Sequence, residues 1–119
     1  MRVRGIRGAV RVPEDIEEGV LEATAELLRE ILDRNGLDPG DVVSIFFTAT
    51  PDITSAFPAS AARRLGMAHV ALLCAQELAV EGAMTRVVRV LVHAHTVRTP
   101  QEIAHVYVGE TRSLREDLA

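Results

Sequence analysis

Three chemically capable side chains, Cys74, Glu77 and Arg89, interrupt an otherwise apolar run at residues 72–92, LLCAQELAVEGAMTRVVRVLV. Arg89 stands between Val88 and Val90 in a stretch that reads as a buried strand, and a buried charge is too costly to keep without a partner. Two partners suggest themselves: Glu77, on the loop that leaves the preceding strand, or an anionic ligand that both residues approach. The plainer readings are an internal ion pair, or an arginine pointing out of an edge strand. Arg7, Arg63 and Arg115 lie in three further segments and with Arg89 could converge on a carboxylated ligand, because guanidinium is a two-pronged donor that keeps its charge when buried. Solvated, unrelated arginines are the alternative. All 13 basic residues are arginine, which suits an anion site and equally suits a compositional bias of the genome.

Other chemistries are weakly supported. His93 and His95 sit two apart and share one face of a strand, a metal-ligand spacing, and His69 and His105 add two more candidates. No acidic cluster accompanies them, so the sequence assigns no metal. Cys74 is the single cysteine; it is core filler, nucleophile or ligand contact, and no histidine lies at a spacing that would activate it. A net charge of -4 with three Phe and one Tyr argues against nucleic-acid binding, which uses a basic face with interleaved aromatics. Apolar runs stop short of the roughly 18 residues a spanning helix needs, and the opening MRVRGIRG places arginines where a signal peptide would be apolar. The chain reads as cytoplasmic, with no partner in nucleic acid or membrane.

The elements that must position these residues fit a single domain over 1–119, long enough for one core and short for a self-contained cleft. Residues 1–12 read as a strand whose Gly5 and Gly8 mark close approach of a backbone or ligand, or a bulge. Asp15 and Glu18 form a capping-box pattern for a helix whose Val20, Leu21, Thr24, Leu27, Leu28, Ile31 and Leu32 make one apolar face, ending at Asn35-Gly36. Residues 42–49, VVSIFFTA, read as a central strand. After an irregular 53–57, Pro58 starts a short helix, a candidate lid. A strand at 68–73 leads into a loop at 74–77; a short helical connection at 81–84 precedes a strand at 87–96. Thr99-Pro100-Gln101-Glu102 repeats a helix start, 104–108 is a last strand, and the tail 110–119 is polar enough to stay loose until something binds it. The sum is an α+β layer arrangement of four or five strands, one long helix and two or three short ones.

R-G-I-R-G-A at 4–9, S-I-F-F-T-A-T-P-D at 44–52, A-F-P-A at 56–59, C-A-Q-E at 74–77, R-V-V-R-V at 86–90, and H-V-Y-V followed by L-R-E-D-L resemble, in order along the whole chain, the bacterial monofunctional chorismate mutases of the trimeric, pseudo-α/β-barrel class. The resemblance implies a mixed β-sheet packed by one long and several short helices, a homotrimer with an active site at each subunit interface, and rearrangement of chorismate to prephenate on the way to phenylalanine and tyrosine. It implies no cofactor. By motif position, Arg89 reaches the ether oxygen of the breaking bond and one carboxylate, Glu77 the ring hydroxyl, and Arg7 and Tyr107 the side-chain carboxylate. Leu73, Cys74, Ala75 and Gln76 line the ring, while Phe57, Ala59, Arg63 and Arg115 come from the neighbouring subunit or close the mouth.

A pericyclic rearrangement moves no proton and forms no covalent intermediate, which agrees with a site that has arginines and one carboxylate and no activated nucleophile. The chain departs from its relatives at Ser60, where they tend to carry a basic residue, and at Leu73, where they tend to carry threonine. Leu73 can then offer only backbone contacts. Two other readings are a deaminase of the imine and enamine group, whose own signature is not visible and which leaves C-A-Q-E with R-V-V-R unexplained, and a non-catalytic sensor of a dicarboxylate. An anion sensor would lose affinity by keeping Glu77 in its pocket.

Overall fold

The computed structural model describes residues 1–115 of the 119-residue chain. Five strands, β1 (Arg2–Arg11), β2 (Val42–Ala49), β3 (Ala71–Gln76), β4 (Val87–Thr96) and β5 (Val106–Tyr107), form one mixed sheet in the order β3-β2-β4-β1-β5. The long strand β4 runs down the middle, antiparallel to both β1 and β2, while β3 and β5 join the two sides in parallel. One long helix, α1 (Glu17–Arg34), covers one face. Among the described residues four short 3-10 helices, at Pro39–Asp41, Pro58–Leu65, Pro100–Glu102 and Gly109–Leu114, complete the elements. This is the α+β arrangement expected, with more short helices than the pattern gave.

Alternation along β4 fixes what each face does. Val88, Val90, Val92, Ala94 and Thr96 are buried against the helix layer, whereas Arg89, Leu91, His93 and His95 are half-buried or exposed on the other face. The core between sheet and helix is built from Ile6, Val10, Ile45, Phe47 and the even-numbered β4 residues against Val20, Leu27, Leu28 and Ile31. Each such side chain removed from water contributes about 1.5–3 kcal/mol. Leu21, expected in that face, is instead half-buried at a cavity wall, and Ala25 takes the buried place.

At Gly8 the helix packs directly on the sheet backbone. A Cβ there would stand 2.8 Å from Ile31 Cδ1 and 3.1 Å from the Val106 carbonyl oxygen. The bulge reading for this segment is ruled out, because β1 and β4 pair without interruption from Arg2–Thr96 to Arg11–Val87.

Several local expectations are corrected by tertiary contacts. Asp15 and Glu18 do not cap α1: Ile16 occupies the cap position with no side-chain bond. Asp15 accepts from the backbone N–H and hydroxyl of both Thr54 and Ser55, at 2.7–3.2 Å. These bonds, the Ser55 hydroxyl first, lower its pKa from 3.8 to about 2. Glu18 pairs with Arg64 through two 3.0 Å bonds. Together these contacts tie the 53–57 segment and the 3-10 helix Pro58–Leu65 to α1, and Ala61 and Ala62 beneath are fully buried. The candidate lid is thus a docked element.

The third strand runs over 71–76, not 68–73, so Cys74, Ala75 and Gln76 belong to it and not to a loop. It is also an edge strand, half-buried at best, rather than a buried one. The connection at 81–84 is a turn, because Gly82 adopts φ 80°. The last strand shrinks to two residues because buried Asn35 captures Ala104: its amide donates to the Ala104 carbonyl and its oxygen accepts the Ala104 N–H, both at 2.9 Å. Of the tail, Gly109–Leu114 is a 3-10 helix held by Thr111, whose buried hydroxyl donates to the Ala9 carbonyl; residues 116–119 of that expectation lie outside the described residues. No helix among the described residues is long and apolar enough to cross a membrane.

Candidate active site

The open face of the sheet gathers most of the charged candidates. Arg89 on β4 stands opposite Ala9 on β1 and Thr48 on β2, Arg7 opposite Leu91, and Ala9 opposite Tyr107 on β5. Residues paired across a ladder share a face, so Arg7, Thr48, Arg89 and Tyr107 look out on the same side. With Phe46, Leu91 and Arg115 they line a cavity of about 360 Å³. Tyr107 is buried against Ala9 and Val87 at its floor, and Arg7 is exposed at its rim.

The partner of Arg89 is Glu77. Its Nε lies 2.7 Å from Glu77 Oε1, with the two side chains 38% and 20% exposed. Arg89 is therefore half-buried and ion-paired rather than buried in the core. Glu77 reaches it because the backbone continues the β3 ladder by one more bond, its N–H donating to the Ala49 carbonyl at 2.9 Å. The same carboxylate oxygen also accepts from the Thr48 hydroxyl at 2.9 Å.

Arg7 has its own support. Its backbone N–H donates to His105 Nδ1 at 2.9 Å, one position before the β1–β5 ladder begins. Burial and then the charges of Arg7 and Arg115 push the His105 pKa below its ordinary value. The imidazole therefore stays neutral and remains an acceptor at neutral pH.

The remaining expected site residues lie elsewhere. Cys74 pairs with Phe47 and packs, half-buried, toward the helix side. Phe57, Cys74, Ala75 and Gln76 line a second cavity of about 530 Å³, walled also by Glu17 and Leu21 of α1 and by Ser60. Phe57 is 76% exposed. Ala59 packs against the core beside that cavity, Arg63 is exposed on the outside of its 3-10 helix, and Leu73 is 57% exposed on the open face. The chain thus brings Arg7, Glu77, Arg89, Tyr107 and Arg115 together on one face and Phe57, Cys74 and Gln76 on the other, while Ala75, paired with Thr48, sits at the sheet edge between them.

Sequence reasoning missed Thr48, Phe46 and Leu91, and weighed His105 only as a metal ligand. For Thr48 a signal was present: in the apolar strand VVSIFFTA, residues 44, 46 and 48 share the face opposite Ile45 and Phe47, and two of those three are polar. Arg86, within the R-V-V-R motif, is not at the site. It adopts φ 55° at the start of β4, where its N–H donates to Asp52 and its Nε to the Val12 carbonyl. His93 accepts or donates to Ser44 at 3.2 Å and meets the Phe46 ring edge-on. Among the described residues no three His, Cys, Asp or Glu side chains converge as a metal site.

Comparison with known proteins agrees with this architecture. The family model of chorismate mutase type I matches residues 3–118. The chain is 47% identical over 117 residues to chorismate mutase AroH of Thermus thermophilus, covering 98% of this chain and 96% of that one. It is 41% identical over 120 residues to chorismate mutase AroH of Bacillus subtilis (strain 168), covering 100% and 94%. The solved chorismate mutase from Clostridium thermocellum superposes with a TM-score of 0.90 at 37% identity, covering 92% of this chain and 98% of that one.

Proposed function

The chain belongs to the type I chorismate mutase family, and from that premise we propose how it turns chorismate into prephenate, the isomerase step toward phenylalanine and tyrosine. Arg89 stabilises the ether oxygen of the breaking bond and holds one carboxylate, Glu77 accepts the ring hydroxyl, and Arg7 and Tyr107 hold the side-chain carboxylate. The observation that carries this is the Arg89–Glu77 ion pair, closest at Nε. Arg89 lines the cavity, and in this reading its terminal guanidinium nitrogens serve the substrate.

The chemistry asks for no acid, base, metal or cofactor. Holding a dicarboxylate in a compact conformer brings the reacting carbons together. As the carbon–oxygen bond breaks ahead of bond making, negative charge grows on the ether oxygen. A fixed guanidinium binds that charge more strongly than the ground state, which is the condition for rate enhancement.

A homotrimer with its sites between subunits is part of the reading. Arg7, Arg89, Tyr107 and Arg115 line one cavity and Phe57, Cys74 and Gln76 another, which supports a site that one copy does not complete alone. A second copy bringing Phe57, Ala59, Arg63 and the 73–76 strand against the open face would complete the site. That face exposes Val3, Val43, Phe46 and Leu73, an apolar surface suited to a permanent partner. Chorismate is then the small-molecule substrate, 1–119 acts as a single domain, and the enzyme works in the cytoplasm.

The test is loss of chorismate absorbance with the purified chain beside Arg89→Ala, prephenate confirmed as product, and the mass in solution measured by equilibrium sedimentation. Turnover by the wild type alone, in a trimer, supports the reading. A folded trimer that binds a dicarboxylate without turnover moves the assignment to a sensor, and an active monomer removes the shared site.

A further inference from the structure

We propose that Thr48 is a positioning residue for catalysis, acting through Glu77; the inference rests on the role just given to that carboxylate. Thr48 lies at the heart of the open face, paired with Arg89 on β4 and with Ala75 on β3, and its side chain lines the same cavity as Arg89.

Its hydroxyl donates to Glu77 Oε1 at 2.9 Å, and Arg89 Nε reaches that same oxygen at 2.7 Å. One carboxylate oxygen thus holds two donors. In this reading the other oxygen accepts a hydroxyl from the substrate.

The arrangement needs both donors. Glu77 sits just past the end of an edge strand, on a segment whose next residues are exposed, with Leu78 84% exposed. A glutamate there has several rotamers, and ordering such a side chain costs conformational entropy. Held by Arg89 alone, the carboxylate would swing into a two-pronged pair with the guanidinium, the stronger geometry for arginine and carboxylate. That pair would occupy the terminal nitrogens that the ether oxygen requires and would turn Glu77 away from the ring. A threonine on a strand is stiff about its first torsion. Its hydroxyl therefore fixes the oxygen beside Nε and keeps the pair one-pronged.

The test compares Thr48→Val, which keeps the shape and loses the hydroxyl, with Thr48→Ser, which keeps the hydroxyl and loses a methyl. Both are measured in the wild-type and Glu77→Gln backgrounds, by kcat and KM on chorismate, with thermal melts to confirm folding. Loss of one hydrogen bond to a charged group predicts a fall of about tenfold to a hundredfold in kcat/KM for Thr48→Val. Thr48→Ser should recover most of it, and Thr48→Val should add nothing once Glu77 is glutamine.

Near-normal turnover by Thr48→Val overturns the proposal. So does serine as damaging as valine, because the methyl and not the hydroxyl would then matter, or full additivity with Glu77→Gln. If Glu77→Gln is itself fully active, the role of Glu77 falls first and that of Thr48 with it. Thr48→Val alone failing to matter beside an impaired Glu77→Gln removes only the present inference.

Discussion

Replacing Arg89 by lysine separates charge from geometry at the proposed centre. In the folded chain Nε pairs with Glu77 Oε1 at 2.7 Å, and the proposed mechanism assigns the terminal nitrogens to the substrate. A lysine carries one ammonium at the end of its stem and must choose between Glu77 and the ether oxygen. Forfeiting one preorganised donor to a developing charge costs about 10² to 10³ in kcat, or about 2.7–4 kcal/mol.

The folding cost is much smaller. With Arg89 38% and Glu77 20% exposed, water screens the pair, and such pairs contribute about 1 kcal/mol or less. In a domain of this size that corresponds to a melting shift of about 3–6 °C. The two effects are therefore distinguishable in one preparation: kcat measured by loss of chorismate absorbance at saturating substrate should fall at least about a hundredfold, while the melt moves by a few degrees. A variant within tenfold of wild type, with its fold intact, refutes the argument that the fork and not the charge carries the rate.

Three further outcomes are expected. Gly8→Ala should lower stability by about 1–3 kcal/mol in urea unfolding, because the new Cβ meets Ile31, Leu27 and an immovable Val106 carbonyl at 2.8–3.1 Å; an unchanged midpoint would show that α1 shifts freely. The His105 pKa is lowered from 6.5 in the fold, so between the two values the unfolded chain binds more protons. Stability is then flat above pH 6.5 and declines as pH falls below it. His105→Asn keeps an acceptor for the Arg7 N–H without titrating, and its melts should lose that acid decline; parallel wild-type and variant curves would disprove it. Asp15 is lowered from 3.8 to about 2, so its contribution is present above pH 3.8 and disappears as pH falls toward 2. Asp15→Asn should melt earlier than wild type at pH 7, with the gap closing in acid, and a constant gap would mean the charge is irrelevant.

Residue periodicity reached far into this protein. The 3.6-residue repeat of Val20, Leu27, Leu28 and Ile31 and the stop at Asn35-Gly36 placed α1, and the β-branched runs placed β2 and β4, because each pattern reflects the face that residue neighbours along the chain must share. The unease of a charge in the Val87–Val92 run pointed to Glu77, since such an arginine requires an anion wherever the chain can supply one. Motif order along the whole length pointed to the family.

Local pattern failed where a polar residue had two suitors. Asp15 and Glu18 matched a helix cap, yet Thr54, Ser55 and Arg64, brought close only by packing, offered more and better-aligned bonds. The strand expected at 104–108 lost its start to Asn35, 69 residues away along the chain.

By itself, then, the sequence determined the long helix and the order of the strands, most of the helix-facing core and the identity of the charged residues at stake. Only the tertiary structure decided that β5 lies beside β1, that β3 is an exposed edge, that Thr48 shares an oxygen with Arg89, and that Cys74 and Arg89 look to opposite sides of one sheet. Alternation along a strand says which residues share a face. It does not say which strand lies alongside or in which register, because those depend on how distant segments satisfy one another's hydrogen bonds and bury one another's surface.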